Sequence, residues 1–86
     1  MKSQIITGLD IGTHSIKMVV AQKKRGVGTL EILGFGEEPS SGVRKGAVVR
    51  PQEVAVKILS LKNRMETISS QKIKEVVVNV GGSHIF

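Results

Sequence analysis

Gly8-Leu9-Asp10-Ile11-Gly12-Thr13-His14-Ser15 joins two runs rich in β-branched residues, Gln4–Asp10 (QIITGLD) and Ile16–Gln22 (IKMVVAQ). The apolar runs predict strands, and the Gly-bearing stretch Ile11–Ser15 (IGTHS) predicts the tight turn between them. Lys23–Gly28 (KKRGVG) is a second turn signal, and Thr29–Gly36 (TLEILGFG) a third strand. Together they predict an antiparallel three-strand meander over residues 4–36. Glu37–Gly46 (EEPSSGVRKG) reads as a loop by composition. Pro51 then opens a helix expected over about 51–68, because its missing N–H would be unpaired in the first turn anyway. Val54, Ile58, Leu61, Met65 and Ile68 recur at helical spacing, and Ala55 and Leu59 widen the stripe. Lys57, Lys62, Arg64 and Glu66 fall mainly on the other face, and Ser69–Ser70 end the helix. Glu75–Val80 (EVVVNV) is a fourth strand closed by Gly81–Gly82. The order β-β-β-α-β places the chain in the α/β (α+β) class.

The apolar pattern asks for more cover than one helix supplies. Val76, Val78 and Val80 point to one face of the last strand, while Val77 and Asn79 point to the other. In the second strand Ile16, Met18 and Val20 oppose Val19 and Ala21. Near-continuous apolar runs mark strands covered on both faces. The chain is therefore expected to be the first part of a larger domain.

Composition narrows the chemistry. At 86 residues the chain holds one small domain at most. It has no cysteine, which excludes disulfides, thiolate metal sites and cysteine nucleophiles, and its two histidines, His14 and His84, are too far apart for a metal cluster. No apolar run approaches the roughly 18–20 residues of a spanning helix. Thr7, Gly8 and Asp10 break the Ile5–Ile6 run too early for a signal peptide, so a soluble, cytoplasmic chain is expected. The net charge of +6 is uneven, at +1 over residues 1–43 and +5 over 44–86. Such an excess suits a polyanionic partner, an anionic membrane surface, or an acidic remainder of the protein that is missing here.

The turn carries the chemistry. Asp10, at the end of the first strand, would project a carboxylate suited to a hydrated Mg²⁺. Gly12 allows close approach of the backbone. The N–H groups of Gly12, Thr13 and His14 could form an anion nest, to which Thr13 adds a hydroxyl. Lys17, by alternation, faces away from Ile16 and Met18. The loop lies within a β-hairpin, so it is neither a Walker A loop nor a Rossmann fingerprint, both of which need a helix next. An isolated D-x-G-T is more often an ordinary hairpin turn. The blander readings of other residues are a solvent-facing ring for His14, a strand-end polar residue for His84, a solvated hairpin tip for Lys23-Lys24-Arg25 and a plain turn for Gly81-Gly82-Ser83.

The GLDIGT turn between the first two strands resembles the phosphate-1 loop of the actin-like, ribonuclease H-like ATPases. Gly36–Val49 (GEEPSSGVRKGAVV) is similar to the segment leading into the first helix of the FtsA family of bacterial cell-division proteins. Val76–Ile85 (VVVNVGGSHI) resembles the strand that precedes that family's inserted (SHS2) subdomain, which is then expected to begin near the C-terminal end. The resemblance covers nearly the whole chain but only the first quarter or so of such a protein. It implies ATP and Mg²⁺ as ligands of the whole protein, with Asp10 as the metal-associated carboxylate, Gly12, Thr13 and His14 as the loop that binds the phosphates, and Lys17 as a candidate phosphate contact beside it. It also implies a self-polymer, a link to the FtsZ ring protein, and attachment to the cytoplasmic face of the cell membrane through a C-terminal segment absent here. ATPase activity would be slow at most, and absent from this stretch alone.

The departures point elsewhere. Ser15 stands where the division family usually has a basic residue, and the Ser15-Ile16-Lys17 spacing looks more like the pilus-assembly relative PilM. Arg50 replaces the usual acidic or amide N-cap and supplies no acceptor. A different class, a small basic nucleic-acid-binding module, is motivated by residues 44–86, but it lacks the Tyr or Trp platforms on which bases stack.

Overall fold

A computed structural model describes residues 4–24, 26, 28–44, 47–48 and 50–80. Its elements are β1 (Gln4–Ile11), β2 (Ser15–Lys23), β3 (Leu30–Pro39), the two-residue strands β4 (Val43–Arg44) and β5 (Ala47–Val48), α1 (Pro51–Ser69) and β6 (Val77–Val80). The main sheet runs in the order β3-β2-β1-β6, with β1 antiparallel to β2, β2 antiparallel to β3, and β6 parallel to β1. The long return from β3 through α1 to β6 is what a parallel pairing requires.

One face of this sheet makes the core. Leu9 pairs with Met18 and Ile11 with Ile16, and these four side chains are buried with Val20 beneath Val54, Leu61 and Met65 of the helix. The helix can approach because β3 offers glycines on that face. Gly36 lies opposite Met18 and Gly34 opposite Val20. A Cβ on Gly36 would stand 2.8 Å from Met65 Cε and 3.0 Å from Leu61 Cδ2. Glu38, next on the same face, ion-pairs with Arg64 and with Lys57 (3.9 Å). Two of the helix's cations are thus held against the sheet edge and do not form an open basic patch.

Several expectations are corrected. The third strand does not end at Gly36. Glu37, Glu38 and Pro39 continue it because they pair with Lys17, Ile16 and Ser15 of β2. Of the described residues in 37–44, residues 37–39 end β3 and Val43–Arg44 form β4, so the stretch is not a loop throughout. The last strand starts at Val77, later than the expected Glu75, where pairing with Gly8 begins. Ile68 and Leu59 are more than half exposed and Ala55 is exposed, so the buried stripe is narrower than the sequence suggests. The helix packs on β2 and β3, and Leu59, five residues beyond Val54, lies about 140° round it. Ile68 only flanks Gly34, with a methyl 3.3 Å from where a Cβ there would stand.

The same off-centre seat leaves β6 without cover. Val77 is 71% exposed, and Val78 and Val80 about half, on opposite faces of the sheet. On the side away from α1, Phe35 and Ile32 are also exposed. Among the described residues, no helix is long and apolar enough to cross a membrane. The readings of Arg25, Gly81-Gly82-Ser83 and His84 fall outside the described residues.

Candidate functional site

The β1–β2 turn stands at the carboxyl end of β1, beside the carboxyl end of the parallel β6, since Ile11 pairs with Val80. In open α/β sheets, ligands bind in the crevice outside those strand ends. The turn is short and internally braced. The Gly12 N–H donates to the Ser15 carbonyl at 3.0 Å, and a Cβ on Gly12 would come within 3.1 Å of that oxygen. From behind, the Ser40 hydroxyl donates to the Gly12 carbonyl at 2.6 Å and the Ser40 N–H to the His14 carbonyl at 3.0 Å. Both carbonyls are thereby drawn toward β3.

This bracing sorts the three N–H groups of the turn. That of Gly12 is engaged within it. Those of Thr13 and His14 have no acceptor among the described residues, and both residues are exposed. Two adjacent free N–H groups on a turn whose Gly12 and His14 carbonyls are taken up by Ser40 suit an anion.

Asp10 lies one residue before the turn on the sheet face opposite the helix. Its cross-strand neighbours are Lys17 on β2 and Asn79 on β6, and Lys17 in turn faces Glu37 on β3. A polar row, Asn79-Asp10-Lys17-Glu37, therefore crosses all four strands next to the turn. The Asn79 amide donates to Asp10 Oδ1 at 2.9 Å. The other carboxylate oxygen has no protein partner among the described residues. Mg²⁺ favours such a site, one carboxylate with the remaining positions left to water and phosphate oxygens. No group of three or more His, Cys, Asp or Glu that could form a protein cage occurs among the described residues.

Asp10, Gly12, Thr13, His14 and Lys17 are thus brought to one end of the sheet, with Asp10 and Lys17 on one face. Sequence reasoning did not single out Ser40 or Asn79. Asn79 does leave a trace, as the one polar residue within VVVNV. Ser40 leaves none, because a serine after proline is ordinary in a turn.

No protein-family model matches the chain. The cell division protein FtsA of Pseudomonas aeruginosa is 32% identical over 82 residues, covering 95% of this chain and 19% of that protein. FtsA of Streptococcus pneumoniae is 36% identical over 77 residues, covering 90% and 16%. FtsA of Bacillus subtilis is 29% identical over 83 residues, covering 96% and 18%. The chain thus spans less than a fifth of the length of these curated relatives. Among solved structures, the PPX-GPPA enzyme of Aquifex aeolicus superposes with a TM-score of 0.58 at 22% identity, covering 90% of this chain and 26% of that one. That neighbour shares the actin-like fold. The pilus-assembly alternative finds no support in these relatives.

Proposed function

The chain carries an FtsA-like sequence on an actin-like fold, and on that premise we propose that it forms the first phosphate-binding part of an ATP-binding cell-division protein. The observation that carries this reading is the pair of free N–H groups on Thr13 and His14, set one strand-end away from a carboxylate with an open oxygen. Asp10 holds a hydrated Mg²⁺ through that oxygen. The Thr13 and His14 N–H groups, with the Thr13 hydroxyl, take the terminal phosphates, and Lys17 adds a positive charge on the Asp10 face. Gly12 keeps the turn tight enough for the backbone to be the ligand. When bound, the metal would supply positive charge to neutralise that of the phosphates.

In the whole protein the nucleotide acts mainly as a conformational ligand, with slow turnover. FtsA relatives support a role in cell division. By that reading the protein self-associates, binds the FtsZ ring protein and sits at the cytoplasmic face of the membrane, attached through a part outside these 86 residues. Isothermal titration of the full-length product with Mg·ATP tests the site. Asp10→Ala should weaken binding about tenfold or more, and an unchanged affinity would refute the assignment.

A further inference from the structure

We infer that Asn79 is a positioning residue for the metal-bound nucleotide, acting through Asp10; the inference rests on the nucleotide-binding reading above. The two residues are 69 apart in sequence and meet only because β6 pairs in parallel with β1 in the register that sets Asn79 opposite Asp10. Each lies one residue before the end of its strand, at the sheet end that carries the turn.

The chemistry of the pair is specific. An ionised carboxylate only accepts, so the Asn79 amide must turn its NH₂ toward Asp10. The bond to Oδ1 at 2.9 Å fixes the carboxylate without neutralising it, which a lysine or arginine would do. Oδ2 is left for the cation. On the other flank stands Lys17, placed to meet phosphate charge, with Glu37 beyond it in the row. An asparagine is also a poor strand residue, set here between Val78 and Val80. Its amide gives what valine cannot, a neutral donor. Carboxylates that ligate metals are commonly held by such outer hydrogen bonds, whose loss lowers metal affinity about 10- to 100-fold.

The test uses the full-length product with Asn79→Val, a substitution that suits the strand and its neighbours. ATP is titrated in the presence of Mg²⁺ and again with a chelator. Affinity should fall about tenfold with Mg²⁺ and stay within about twofold without it. A residue that only registers β6 on β1 would change both affinities alike or neither, and either result overturns the inference. In an Asp10→Asn background, Asn79→Val should add no further loss with Mg²⁺. A full additional loss there also overturns it. If the unaltered protein binds ATP no better with Mg²⁺ than without, the nucleotide reading itself fails, before any variant is compared.

Discussion

The Ser40 hydroxyl donates to the Gly12 carbonyl at 2.6 Å and so ties the end of β3 to the β1–β2 turn, 28 residues away in sequence. With the Ser40 N–H on the His14 carbonyl, this bond occupies two acceptors of the loop and leaves the donors of Thr13 and His14 free. Ser40→Ala removes one of the two ties. It should weaken Mg·ATP binding about three- to tenfold, the loss of roughly one hydrogen bond's net worth, while leaving the melting temperature of the full-length product nearly unchanged. Titration calorimetry beside a thermal melt checks both halves.

Gly36 should accept a larger side chain only at a cost. A Cβ there meets the ends of Met65 and Leu61, both fully buried, so Gly36→Val must displace those side-chain ends within a filled core. The expected cost is about 1–3 kcal/mol, read as a lower denaturant midpoint. Shortening the obstructing side chain with Met65→Ala in the same molecule should recover part of it.

Gly42 is required for a different reason. Its φ of +82 lies in the left-handed region, and a Cβ would stand 2.6 Å from the Arg50 carbonyl oxygen. Its own carbonyl accepts from the Arg50 N–H at 3.0 Å, setting the chain up for the Pro51 start of the helix. Gly42→Ala should cost at least about 1–2 kcal/mol from the backbone conformation alone, again visible in the denaturant midpoint.

Much of this fold was legible because local chemistry and tertiary structure agree. Pro51 does start the helix, and Ser69–Ser70 do end it, with the Ser69 hydroxyl bonded back to the Met65 carbonyl and Ser70 in the left-handed conformation. Glu37-Glu38-Pro39 was not legible as strand. Its polar residues are recruited by β2 and by the cations of α1, partners that lie far off in sequence. Leu59 misleads in the opposite way, an apolar residue at helical spacing that lies on the exposed side. At the candidate site, the β1–β2 turn and the strand-end place of Asp10 could be read directly. The supports Ser40 and Asn79 could not, because each acts on a residue 28 or 69 positions away.

Glu66 gives a pH-dependent contact outside the site. The Ile73 N–H donates to its Oε2 at 2.8 Å and, with Lys62 and Lys72 nearby, holds the carboxyl below its ordinary value of 4.5. A carboxyl whose folded value lies below its unfolded one stabilises the folded state above the unfolded value and loses that contribution as pH falls through the folded one. The protection of the Ile73 amide against hydrogen exchange should therefore hold from neutral pH down to about 4.5 and decline below it. In Glu66→Gln, which keeps an acceptor but no charge, the decline should vanish. Amide-resolved exchange at a series of pH values measures this.

The most direct measurement of the central claim is an amide-resolved NMR titration of the full-length product with a non-hydrolysable ATP analogue and Mg²⁺. The account predicts the largest shifts at the Thr13 and His14 amides, saturating together, and abolished by Asp10→Ala. Binding that shifts amides elsewhere while those two stay unmoved would contradict it.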